Sequence, residues 1–127
     1  MTFATFRITR MPFTVTLVIQ KNKGNKEEMD ELMHGIHKLF ENNTPFTLLI
    51  DARVLSQVDM SSAMDIVRFM KINRANFKRM TKGSAILINS PIVRDLIKFV
   101  FSIQPPASPN VVTTEMMEAL EFLKQFQ

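Results

Sequence analysis

Two adjacent serines stand at the predicted start of a helix, in the stretch VDMSSAM at residues 58–64. Serine side chains accept hydrogen bonds from the unpaired amides of a helix's first turn, so Ser61 or Ser62 fits a structural cap. A phosphate on either hydroxyl would add up to about two negative charges beside the positive end of the helix, which is locally favourable. Ser61 and Ser62 are therefore candidate phosphorylation sites as well as candidate caps.

Other polar side chains follow the apolar segments that are predicted to be strands. Asp51 closes the apolar run at residues 46–50, and Ser90 follows the run at 85–89. In an open sheet with parallel strands, ligands and partners bind at the carboxyl ends of the strands, so these loops are where a binding site is expected. The predicted binding loop comprises Asp51, Arg53, Asp59, Ser61, Ser62 and Ser90.

Enzyme chemistry has little support in the sequence. There is no cysteine, which excludes a disulfide framework, a thiolate zinc site and a cysteine nucleophile. No phosphate-binding glycine loop and no HExxH motif is present. His34 and His37 have no third metal ligand at a telling spacing, so solvent-exposed histidines are favoured over a metal site. We predict no catalytic residue, no metal and no cofactor.

A basic segment follows the serines. No acidic residue lies between Asp65 and Asp95, and a helix predicted over residues 61–80 would place six cations opposite its apolar side. These are Arg68, Lys71, Arg74, Lys78, Arg79 and Lys82. A plain solvated face is one interpretation. Among functional ones, an acidic protein surface is favoured over an anionic membrane, and nucleic acid is disfavoured because no aromatic residues interleave the cations for base stacking.

The helix predicted over residues 91–103 is apolar on nearly all sides. Its last turns supply a predicted apolar contact of four residues, namely Phe99, Val100, Phe101 and Ile103. More apolar side chain is present than one sheet contact should bury. The surplus indicates core packing, self-association as a homodimer, or a shallow pocket for a lipid or another small apolar ligand.

The order of elements predicts an α/β fold. An alternating strand at residues 13–20 is preceded by a weaker one at 3–8, and "RMP" between them predicts a turn of an antiparallel hairpin. The later strands at 46–50, 85–89 and 111–114 are separated by helices, so right-handed crossovers make most of the sheet parallel, with about four helices.

Size and composition favour one ordinary cytoplasmic domain. The 127 residues, 46% of them apolar, are enough for a single domain at 1–127. No run approaches the roughly 20 apolar residues of a membrane span. Arg7, Arg10 and Pro12 interrupt the apolar residues of the first segment, which therefore does not resemble a signal peptide.

Residues 46–74 resemble STAS domains, the fold of bacterial anti-sigma-factor antagonists, in which a strand ending in Asp is followed by an Asp-Ser-Ser-Gly loop and a helix. Asp51 matches the strand-end aspartate, and Ser61 and Ser62 match the serine pair, one of which is a phosphorylation switch in the antagonists. Met60 and Ala63 stand at the motif's aspartate and glycine, which alters the loop that a kinase partner would read.

Residues 90–124 look more like the SpoIIAA-like STAS/Sec14 group, with Arg94 on an apolar helix and Ala119 and Leu123 on a final helix. The resemblance implies a STAS-like mixed sheet and a regulatory, protein-interaction function without catalysis. It also implies kinship with lipid-transfer folds, although this chain looks too short to enclose a lipid cavity by itself.

Overall fold

The computed structural model describes residues 2–9 and 14–127. The predicted turn at "RMP" and Phe13 lie outside these ranges. The elements in chain order are β1 (Ala4–Thr9), β2 (Thr14–Ile19), α1 (Lys26–Leu39), a 3₁₀ turn (Phe40–Asn42), β3 (Phe46–Asp51), α2 (Met60–Ile72), α3 (Arg74–Met80), β4 (Thr81–Leu87), α4 (Pro91–Ile103), β5 (Asn110–Thr113) and α5 (Met116–Lys124).

The described strands form one five-stranded sheet in the order β1-β2-β3-β4-β5. β1 pairs antiparallel with β2, and each later strand pairs parallel with its predecessor. Parallel neighbours need crossover connections, which the helices supply. The predicted mixed, mostly parallel sheet is confirmed.

The helices lie on both faces of the sheet. Side chains of α1, α2 and α4 pack on one face, where Val15, Leu17 and Leu48 are buried. α5 covers the other face through Ala119 and Leu123. In the described ranges, no helix is long and apolar enough to cross a membrane.

The prediction of one long helix over residues 61–80 is wrong, because Asn73 separates α2 from α3. Asn73 is buried, and its amide Nδ2 donates to the carbonyl oxygen of Phe69 at 3.0 Å. Its Oδ1 accepts a hydrogen bond from Asn76 Nδ2 at 3.2 Å. Asparagine competes for backbone groups in this way and favours helix ends over helix interiors.

β4 begins four residues earlier than the sequence pattern predicts, at Thr81, and contains a bulge. Phe46 pairs with Thr81 while Thr47 pairs with Gly83, so Lys82 is an extra residue in the ladder. Gly83 allows a close contact, since a Cβ at this position would lie 2.5 Å from a ring carbon of Phe126. The bulge changes the face to which Thr81 belongs.

Candidate functional site

The two candidate serines occupy different environments. α2 begins at Met60, with Asp59 as its N-cap residue, so Ser61 and Ser62 both lie inside the first turn and neither is the N-cap residue. Ser61 is exposed, whereas Ser62 is 4% exposed. Only the Ser61 hydroxyl is available to a partner or a modifying enzyme in the folded protein.

Asp51 and Arg53 form a bidentate ion pair at the end of β3. The Arg53 guanidinium donates from Nε to Asp51 Oδ1 at 2.9 Å and from Nη2 to Oδ2 at 2.8 Å. These hydrogen bonds hold the pKa of Asp51 below its usual value, against burial, which raises it. A carboxylate engaged on both oxygens is ionised and already satisfied, so this pair shapes the loop and offers no free acid or base.

Two lysines, one in the segment before α1 and one at the first position of α1, contact the start of α2. Lys23 Nζ lies 3.7 Å from Asp59 Oδ1, and Lys26 Nζ lies 3.4 Å from Asp65 Oδ2. Arg68 also pairs with Asp65. Ion pairs over such sequence separations leave no local signal, so Lys23 and Lys26 could not be identified from the sequence alone.

Backbone contacts fix the same loops. The carbonyl oxygen of Asn22 accepts hydrogen bonds from the amides of Ser56 at 2.9 Å and Gln57 at 3.2 Å. Lys23 and Gln57 form an isolated parallel bridge. The loops after β2 and β3 therefore form one surface at the carboxyl edge of the sheet.

Ser90 has a structural role. Its Oγ accepts a hydrogen bond from the amide of Val93 at 3.3 Å and caps α4, with proline at the first helical position. The predicted cap and the predicted helix bounds are confirmed. This use of the hydroxyl accounts for Ser90 without a ligand.

All six predicted cations are exposed, but they do not form one helix face. Arg68 is ion-paired, and Lys82 belongs to β4. The other four cations, like Lys82, have no acidic partner in the part of the chain that the structure describes. We call them the basic surface, which consists of Lys71, Arg74, Lys78, Arg79 and Lys82.

The basic surface lies away from Ser61. Lys71 is ten residues further along α2, which is about 15 Å along the helix axis. α3 then carries the chain to the start of β4, at the amino end of that strand. Ser61 and the basic surface are therefore separate along α2, and Arg68 is the predicted cation that lies closest in sequence to the serines.

The predicted apolar contact on α4 is only partly at the surface. Phe99 is 40% exposed and Ile103 is 46% exposed, whereas Val100 is 4% exposed and packs with Ala63 and Val67 of α2. Phe101 is half-buried. Val100 is thus a core residue and is not available for self-association, which stays a prediction for the exposed members.

No group of three or more metal-ligating side chains occurs in residues 2–9 and 14–127.

The fold matches that of a solved protein. An uncharacterized protein of the DUF3478 family from Shewanella loihica PV-4, whose crystal structure has a SpoIIAA-like fold, superimposes with a TM-score of 0.67. The alignment covers 94% of this chain and 91% of that chain at 15% sequence identity. The SpoIIAA-like fold predicted from the STAS resemblance is confirmed.

The family follows from the sequence itself. Residues 17–127 match the model of a domain of unknown function, DUF7793, and the chain belongs to this family. No curated protein matches it.

Proposed function

We propose that this chain is a non-enzymatic regulatory module of the SpoIIAA-like type that binds an acidic surface of another protein. The basic surface carries the proposal: its five cations are exposed and lack acidic partners among the described residues. Exposed cations without acidic partners attract an acidic surface and speed its association.

A protein partner is favoured over nucleic acid. Phe69 and Phe77, the aromatic residues nearest in sequence to these cations, pack against the core and against each other with ring centroids 5.8 Å apart. They are therefore committed to packing and are not displayed for stacking on bases.

Ser61 is proposed as a separate point of regulation. It is exposed at the carboxyl edge between the ion-paired Asp59 and Asp65. A phosphate there would compete with these carboxylates for Lys23, Lys26 and Arg68, because it carries more charge and more acceptor oxygens. Modification would thus rearrange the loops at this edge while leaving the basic surface unchanged.

The experiment starts from capture in the cells that make the protein. A photo-crosslinking amino acid at Lys78 should link an acidic protein, and the same amino acid at Glu121 on α5 should not. The purified partner should then bind the Lys71→Glu, Lys78→Glu double variant at least tenfold more weakly than the parent chain, because both attractions become repulsions.

A charge-matched control separates a local contact from net charge. Lys38→Glu together with Lys124→Glu changes the net charge equally, at exposed positions on α1 and α5. The control double variant should bind the purified partner with a Kd within about twofold of that of the parent chain. Equal weakening by both double variants, or crosslinks to nucleic acid or lipid in place of protein, would contradict the proposal.

A further inference from the structure

A cavity of about 230 Å³ lies between the sheet and the helices α1, α2 and α4. Its walls are almost wholly apolar. On the helices they include Met29, Met33, Phe69, Met70 and Ile97.

The cavity is partly open to the surface and is larger than the voids usual in a protein core. Protein interiors pack as densely as organic crystals and rarely leave voids larger than one water molecule. An engineered apolar cavity of about 150 Å³ stays dry and binds benzene, and this one is larger. Methionine side chains in its wall adapt their shape easily to a guest molecule.

One buried hydroxyl in the wall lacks a partner. Thr81 is 3% exposed, and no hydrogen-bond partner for its Oγ1 lies in the described residues. The bulge at Lys82 places Thr81 on the cavity side of β4, with Ser84 and Ile86. A buried hydroxyl without a hydrogen bond opposes folding, so a bound group that pairs with Thr81 would remove that cost.

The polar part of the lining is concentrated at the amino ends of β4 and β5. Ser84 Oγ accepts a hydrogen bond of 2.7 Å from Asn110 Nδ2, and both residues line the cavity. Arg74 also lines it, and its Nη1 donates to the carbonyl oxygen of Pro105 at 3.2 Å. Its guanidinium has no carboxylate partner among the described residues, so it still has donors for an anion.

We propose that this cavity binds a small amphipathic carboxylate. Its apolar chain lies between the sheet and the helices, and its carboxylate lies toward Arg74 and Thr81. The lining of β4 runs from Thr81 to Ile86, which is about 17 Å of strand, so an extended chain fits better than a compact ring. This proposal does not rest on the proposed function, although Arg74 lines the cavity and is also a member of the basic surface.

Methyl NMR of the full chain labelled at methionine tests the proposal with decanoate, below its aggregation concentration. The signals of Met29, Met33 and Met70 should shift and saturate, because these residues line the cavity. Met60 and Met117, which are 56% and 69% exposed, should not shift. Equal shifts at all five residues, or no saturation, would overturn the proposal.

Paired variants on α4 test the location. Ile97 lines the cavity, whereas Ile92 is 69% exposed on the same helix. Ile97→Phe should weaken decanoate binding at least tenfold by filling space, and Ile92→Phe should leave it unchanged. Equal binding by both variants would place decanoate elsewhere.

The carboxylate is tested with an uncharged ligand of equal chain length. Arg74→Gln should weaken decanoate about tenfold and change decanol binding less than twofold, because only the carboxylate forms a charge-assisted hydrogen bond. Decanol that binds the parent chain as tightly as decanoate would overturn the assignment of an anionic ligand.

Discussion

The adjacent serines at the start of α2 allow a test at the scale of a single hydroxyl. Ser61 is exposed and Ser62 is 4% exposed, so a modifying enzyme can reach only Ser61 in the folded protein. Peptide mass spectrometry of the chain from its own cells should find a phosphate on Ser61. Ser61→Ala should abolish it, and Ser62→Ala should retain it. A phosphate found on Ser62 would refute the assignment.

The buried threonines at the ends of β4 and β5 form a second matched pair. Thr81 has an unpartnered Oγ1 among the described residues, whereas Thr113 Oγ1 accepts a hydrogen bond from the amide of Glu115 at 3.1 Å. Valine has nearly the same shape without the hydroxyl. Thr81→Val should raise the free energy of unfolding by about 1 kcal/mol, and Thr113→Val should lower it by about 1 kcal/mol.

Urea unfolding of both variants measures these changes, and decanoate binding supplies the second reading. Thr81→Val should bind decanoate several-fold more weakly although it is more stable, since the lost hydroxyl would serve the ligand and not the fold. A loss of stability in Thr81→Val equal to that in Thr113→Val would show that the Thr81 hydroxyl is already satisfied.

At the scale of elements, Asn73 makes the junction between α2 and α3. Its side chain forms one hydrogen bond with Phe69 and one with Asn76. Asn73→Ala should therefore lower the free energy of unfolding by about 1–2 kcal/mol. Ile72→Ala removes a larger side chain at the neighbouring position, which is 80% exposed, and should change it by less than about 0.5 kcal/mol. Urea unfolding of the two variants measures both free energies. Equal losses of stability in Asn73→Ala and Ile72→Ala would contradict the role of Asn73 at the junction.

The same junction shows what local sequence patterns reveal. The bounds of α4 and the Ser90 cap were predictable, because proline after serine is a strong start signal. The break at Asn73 was not, since apolar residues continue at helical spacing from Phe69 to Phe77 on either side of it. The break depends on side-chain hydrogen bonds of Asn73, which the spacing of apolar residues does not reveal.

At the scale of the whole molecule, the order of elements predicted the architecture and left the functional surfaces undetermined. Alternating strands and helices impose parallel pairing, and the sheet has the predicted arrangement. The contacts of Lys23 and Lys26 with α2 depend on tertiary structure. The cavity was visible in the sequence only as an excess of apolar residues, and the bulge that turns Thr81 toward it was not visible at all.

The strands are neighbours in the sheet in the same order in which they occur in the chain. This order bears on how the sheet folds during synthesis. During synthesis each emerging strand can join the edge of a sheet that already exists, and none must insert between two paired neighbours. α5 follows β5 in the chain, so the apolar face formed by Leu49, Ala85 and Leu87 lacks the cover of this helix until α5 has left the ribosome. The nascent sheet therefore exposes this apolar face while α5 is still being translated, which is when a chaperone would protect it most.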